Sequence, residues 1–174
     1  NIIKLNFTNI HNKRINLMVK SVFFSFDYDR DIWRVSQVRN SNTVKPKGEE
    51  DGFIDSVSWE EVKKKDKATI KRWIDNQLDG TSVTTVLIGA QTYESEWVNY
   101  EIQASANRNN KLLGIYIHNI KDNNQRTDFK GKNPFEKFNL KGINLATLVP
   151  TYDWVLQDGR RNIAKWIETA FKIS

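Results

Sequence analysis

The chain has 174 residues, 39% of them hydrophobic, and no cysteine. That is enough for one hydrophobic core, and it excludes disulfides, thiolate zinc sites and a cysteine nucleophile. The formal charge is +6, of which Lys4, Lys13 and Arg14 supply +3 ahead of Met18 with no acid beside them, leaving +3 for the rest.

Residues 1–17 are rich in Asn and Ile without strong periodicity and read as an N-terminal extension, native or not, with a single domain expected over 18–174 from the lone methionine, Met18. The first convincing strand runs near Lys20 to Phe26 and is followed by a helix near Asp29 to Asn40. After a polar loop, Ile70, Trp73, Ile74 and Leu78 fall at the three- and four-residue spacing of a buried stripe, so a helix is expected over Asp66 to Leu78, with Gly80 as its stop. Val83 to Ile88 reads as a buried strand and Gly89 to Glu94 as a turn. Ser95 then caps a helix to Asn107 that carries Glu96 in its first turn. A strand near Leu112 to His118, another near Thr147 to Val155, and a helix bearing Ile163, Trp166, Ile167, Ala170 and Phe171 complete the pattern. Strands alternating with helices predict an α/β fold, a flavodoxin-like parallel sheet of about five strands with helices on both faces.

Cations such as Lys63 to Lys65 alternate with acids as on a solvated helix face, so no nucleic-acid partner is expected. No apolar run approaches the roughly 20 residues that span a bilayer and no signal-peptide pattern leads the chain, so no membrane partner and a cytoplasmic location are expected. Two long polar stretches, Ser41 to Gly52 and Lys121 to Pro134, interrupt the pattern. Each is either a functional loop or a plain insertion, the first placed to close over a cleft and the second to meet a partner.

Phosphate-binding GxxxxGK[ST] and GxGxxG loops are absent, and His11 and His118 stand apart from any metal-ligand spacing, so neither a Gly-rich nucleotide cradle nor a metal site is expected. A phosphoacceptor receiver would use Asp27 and Asp29, but it also needs an Asp ending the central strand, where this chain has Gly89-Ala90-Gln91. What remains lies at the carboxyl ends of the strands, where α/β sheets bind ligands. Phe24, Ser25, Phe26, Asp27 and Tyr28 place a hydroxyl and a carboxylate among aromatics, as suits a polar ligand with flat rings. Alternatively Phe24 and Phe26 are core, Asp27 caps the next helix as Asp29 is expected to, and Trp33 is packing rather than a stacking platform. Arg39, beside Asn40 at the helix end, either offsets the helix dipole or meets a phosphate. Glu101 is the sharpest candidate. Val98 and Ile102 mark the buried stripe of its helix, and Glu101 shares the adjoining flank with Trp97 and Ala104. Because helical side chains lean towards the N-terminus, its carboxylate is aimed back at the mouth of the preceding strand.

Several motifs in one order carry a resemblance: Val22-Phe23-Phe24-Ser25-Phe26, Trp33-Arg34, Val38-Arg39-Asn40-Ser41, Lys71-Arg72-Trp73-Ile74-Asp75, Val86-Leu87-Ile88-Gly89-Ala90, Trp97-Val98-Asn99-Tyr100-Glu101-Ile102 and Gly114-Ile115-Tyr116-Ile117-His118-Asn119. Together they resemble the bacterial TIR-like family, best known from the Thoeris anti-phage defence system, over nearly everything from Lys20 to Phe135. The chain departs from the family at Asp27, where a histidine is expected. The resemblance implies a TIR fold and a NAD nucleosidase or ADP-ribosyl cyclase in which one glutamate, by motif Glu101, cleaves NAD. The cyclic ADP-ribose isomer formed would switch on a separate effector. It further implies a phage structural protein as trigger, a site commonly completed on self-assembly, and no cofactor, NAD being the substrate. For that substrate the strand-end residues and their neighbours give the expected contacts: Phe24, Ser25, Phe26, Asp27, Tyr28, Trp33, Arg39, Asn40 and Trp97. The alternative is a non-catalytic TIR-like module for protein interaction, in which Glu101 is dispensable.

Overall fold

In the computed structural model, which describes residues 2–5, 20–41 and 56–173, the five-stranded sheet has the order β1-β2-β3-β4-β7. Its strands are β1 (Ile2–Leu5), β2 (Lys20–Ser25), β3 (Val83–Ile88), β4 (Lys111–Tyr116) and β7 (Thr151–Asp153). From β2 to β7 the pairing is parallel throughout, with Val22 opposite Val83, Val83 opposite Lys111 and Gly114 opposite Thr151. The fifth member differs from expectation. β1 comes from the segment read as an extension and pairs antiparallel on the free edge of β2, Ile2 opposite Phe23. Its Ile-Ile-Lys-Leu stretch is too short for a periodicity to stand out, and its partner is distant in sequence.

The helices are α1 (Tyr28–Arg39), α2 (Ser56–Val62), α3 (Lys67–Leu78), α4 (Glu96–Asn107), the short α5 (Leu145–Leu148) and α6 (Gly159–Glu168). Strand side chains alternate between faces, and the two faces of the sheet are therefore distinct. Val22, Phe24, Phe26, Val83, Leu87, Leu113 and Ile115 pack against Val35 and Val38 of α1 and Ile163, Trp166 and Ile167 of α6. On the other face Val86, Ile88 and Leu112 meet Val98 and Ile102 of α4 together with Phe135 and Leu145, while Phe23 meets Ile70, Ile74 and Leu78 of α3 and Trp59 of α2. Asp66 caps α3 by accepting from the Thr69 N–H, and Ser95 caps α4 by accepting from Val98, the start expected for that helix.

Two expected elements change. The strand read over Thr147 to Val155 is only Thr151–Asp153, preceded by α5, and a two-stranded hairpin of β5 (Asn139–Leu140) and β6 (Ile143–Asn144) stands before that. Asn144 caps α5 through the Ala146 N–H, a local hydrogen bond that turns the run Leu145-Ala146-Thr147-Leu148 into a helical turn. The helix α2 stands where a polar loop is expected before Asp66; its Trp59 and Val62 lie one turn apart and pack on α3.

The polar stretch Lys121 to Pro134 is pinned rather than loose. Arg34, buried on α1, donates to the carbonyls of Ile120 at 3.0 Å and Arg126 at 3.2 Å and lies 3.7 to 3.8 Å from Asp31, Asp122 and Asp128. Arg30 adds a 3.0 Å pair with Asp128. The other polar stretch, Ser41 to Gly52, with its expected role as a lid, lies outside the described residues after Ser41. Among the described residues no helix is long and apolar enough to cross a membrane.

Candidate active site

At the carboxyl end of β2 the hydroxyl of Ser25 donates to Oε2 of Glu101 at 2.6 Å, and both residues are buried. The contact follows from two periodicities. Along β2, Phe23 and Ser25 face α4 while Val22, Phe24 and Phe26 face α1 and α6. On α4, Glu101 falls between the flank of Trp97, Tyr100 and Ala104 and the flank of Val98 and Ile102, so it lands over β2 and β3. One turn further along, Thr84 of β3 donates to Ser105 at 2.7 Å, and Asn110 reaches Thr84 and Thr81. This polar seam fixes the rotation of α4, and with it the place of the carboxylate, because slipping the helix would strand several buried polar groups.

Glu101 is 6% exposed, and burial raises its pKa to about 7 against the opposing effect of the Ser25 hydrogen bond. Desolvation penalises the anion, while the donated hydrogen bond favours it. Near neutral pH the group is therefore divided between a charged and a neutral form. A carboxylate so poised can stabilise a developing positive charge strongly, since little water competes with it.

An aromatic wall stands beside this pair. Ring centroids step from Phe26 to Tyr28 at 5.9 Å, to Trp59 at 6.0 Å and to Trp73 at 5.8 Å, and Tyr28, Trp73, Trp97 and Tyr100 all border the cluster that holds Phe23 and Trp59. Trp59 was not among the residues singled out from sequence. Its spacing to Val62 was the available signal, hidden by the polar residues around it.

The other expected contacts separate into groups. Tyr28 and Trp97 flank the wall, both partly buried. Phe24 is turned to the opposite face and enclosed in the core, 1% exposed, because strand alternation puts it out of phase with Ser25. Phe26 belongs to that same core cluster but touches Tyr28 at its edge. Trp33 is 59% exposed on α1, in a groove of about 630 Å³ lined by Gln37, Asn119, Ile120, Trp154 and Val155. That groove lies on the α1 side of the sheet, away from Glu101, so volume alone does not locate the site. Asp27 occupies the N-cap of α1 without a capping hydrogen bond from its side chain, and burial with the neighbouring Asp29 charge raises its pKa. Asp29, expected as a cap, sits in the first turn and pairs with Lys63 at 2.9 Å. Arg39 closes α1, where burial lowers its pKa to about 10 although Tyr28 favours its charge, and Asn40 is the exposed C-cap.

A second carboxylate is buried at the carboxyl edge. Asp31 is fully enclosed and neither oxygen has a hydrogen-bond partner; burial and the Asp27 charge raise its pKa to about 6 against Arg34 and Arg30. It lies against Gly89 so closely that a Cβ there would stand 2.0 Å from Asp31 Oδ2. Among the described residues no group of three or more potential ligands is arranged to hold a metal.

Comparison with known proteins matches residues 23–122 to the family described as Thoeris protein ThsB, TIR-like domain. A Bacillus cereus (strain MSX-D12) protein, provisionally named cyclic ADP-D-ribose synthase ThsB1, is 33% identical over 191 aligned residues, spanning 86% of this chain and all of that protein.

Proposed function

Since the chain belongs to the TIR-like domain family of Thoeris ThsB proteins, we propose that it cleaves NAD at the bond between nicotinamide and ribose and closes the ADP-ribose into a cyclic signalling nucleotide. The observation that carries this reading is the buried Ser25–Glu101 pair at the carboxyl end of a parallel sheet.

The chemistry asks for one carboxylate. Glycoside hydrolases generally use two carboxyl groups because a poor leaving group must be protonated. In NAD the ring nitrogen is already cationic, so the breaking bond returns its electron pair to nicotinamide, which departs neutral without a general acid. The positive charge then passes to the ribose, where Glu101 in its ionised form stabilises the oxocarbenium-like transition state. Ser25 holds the carboxylate by its Oε2 and keeps part of it charged. In cyclisation the attacking atom belongs to the substrate, so the site must exclude water, and the aromatic residues Tyr28, Trp59 and Trp97 supply dry walls.

In this reading the product acts on a separate effector in anti-phage defence. A phage structural protein is the trigger, and self-assembly completes the site. The near-complete enclosure of Glu101 supports an activation step that opens the site to NAD. A second reading, a non-catalytic interaction module, draws on the exposed apolar face of Trp33, Val155 and Leu156.

The deciding experiment incubates the protein with NAD, alone and after co-expression with phage structural proteins, and follows nicotinamide and cyclic products by mass spectrometry beside Glu101→Gln. Release that disappears in the variant is expected. Turnover retained by Glu101→Gln would refute the assigned mechanism, and biological function retained without turnover would favour the interaction module.

A further inference from the structure

The segment 130–137 crosses the carboxyl edge of the sheet between the ends of β3 and β4. Gly131 is seated so closely on the turn after β3 that a Cβ would lie 2.0 Å from the Gly89 carbonyl oxygen. Just beyond it, buried Asn133 accepts from the Phe135 N–H and caps the short turn Pro134–Lys137. The lysines on either side of this tight seat are therefore held at a fixed height over the sheet edge.

Lys130 lies 4.5 Å from the ring centre of Tyr116, the last residue of β4. Lys132 and Lys137 lie 5.5 and 4.1 Å from the ring centre of Tyr93, in the turn after β3. All three side chains are exposed, and among the described residues none forms an ion pair, although Glu94 and Glu136 stand on the same two turns. Lys132 and Lys137 share the Tyr93 ring, Lys130 covers the Tyr116 ring, which the Glu136 carboxylate also reaches electrostatically, and the ring faces offset the repulsion between the ammonium groups only in part. A ligand with two adjacent negative charges completes the arrangement, with lysines acting as point charges to phosphate.

The place is suited to such a ligand. Lys137 and Asn99 both donate to the carbonyl of Tyr93, which ties Lys137 to the first turn of α4, the helix that carries Glu101 on a different face from Asn99. We propose that Lys130, Lys132 and Lys137 form a pyrophosphate-binding platform, which holds the diphosphate of the dinucleotide while its ribose lies against Glu101. The second half of this statement rests on the NAD reading; the platform itself does not.

The test uses the full chain, inorganic pyrophosphate as the probe, and calorimetry at low and high salt. The variant Lys130→Gln/Lys132→Gln/Lys137→Gln is compared with a charge-matched control, Lys64→Gln/Lys65→Gln/Lys172→Gln, and with Glu101→Gln. Melting curves check that each folds. Expected is binding that weakens with salt, is at least tenfold weaker in the platform variant, and is retained in the control and in Glu101→Gln. In triggered protein the platform variant is expected to raise KM for NAD at least tenfold, a larger change than in kcat. Equal pyrophosphate affinity in the platform variant and the control would overturn the platform. Lost pyrophosphate binding with an unchanged KM for NAD would overturn its assignment to the substrate and point to a separate phosphate ligand. Lost binding in a protein that never turns over NAD would support the platform while sinking the NAD reading.

Discussion

Replacing Ser25 by alanine isolates the hydrogen bond that keeps Glu101 partly charged. The bond is 2.6 Å long and buried, and it opposes the burial that raises Glu101 to about 7. A hydrogen bond to a charged group contributes about 1.5–3 kcal/mol. At about 1.4 kcal/mol per unit, its loss raises the Glu101 pKa by about one to two units. Near pH 7 the ionised fraction then falls from about one half to between about one tenth and one hundredth, so turnover drops roughly five- to fiftyfold and returns as the pH rises. The assay is nicotinamide release from pH 5 to 10 in triggered protein, read beside a carboxyl carbon NMR titration of Glu101 that needs no activity. An acidic limb that stays where it is in Ser25→Ala, or a loss of rate equal at every pH, would refute the argument and leave Ser25 as a contact to substrate alone.

Other substitutions test the buried charges. Glu101 and Asp31 have folded pKa values raised to about 7 and about 6, above their unfolded values, so the stability their neutral forms confer is intact below about pH 4 and is lost as the pH climbs through 6 and 7. Glu101→Gln is therefore expected to melt higher than the parent at pH 8, by roughly 1–3 kcal/mol in stability, and about equally at pH 4; a variant less stable at pH 8 would contradict the burial penalty. Arg34→Ala removes the hub of three acids and two carbonyls and is expected to cost about 3–5 kcal/mol in urea unfolding, with a loss under about 1 kcal/mol counting against that role. Gly89→Ala forces a methyl into the Asp31 carboxylate and is expected to destabilise by about 1–3 kcal/mol in urea unfolding; an unchanged stability would show that Asp31 moves freely.

Much of this molecule is readable along the chain because its core elements are periodic. The stripe Ile70, Ile74, Leu78, the apolar run Val83–Ile88 and the Ser95 cap each announce themselves locally, since propensity, pattern and capping agree within a dozen residues. The flank of α4 that bears Glu101 is equally a local property: 3.6 residues per turn put it between Trp97 and Val98 whatever lies opposite. The antiparallel β1, the helix α2 and the turn at α5 are less visible, because each is short and is stabilised by partners elsewhere in the chain.

The sequence by itself therefore determines an α/β fold, the strands β2, β3 and β4 with the helices α1, α3 and α4 in their order, and a glutamate aimed at the carboxyl edge. Tertiary structure alone decides what that glutamate meets. Ser25 is 76 residues away and becomes its partner because β2 and α4 face one another, while Phe24, one residue earlier, is sent to the opposite layer by the strand's two-residue period. Asp31 against Gly89, Trp59 against Tyr28 and Trp73, and the lysines over Tyr93 and Tyr116 are likewise products of docking, not of spacing. Burial then sets the chemistry: the same carboxyl group that would be a plain anion on a solvated helix is divided near neutral pH once the sheet covers it.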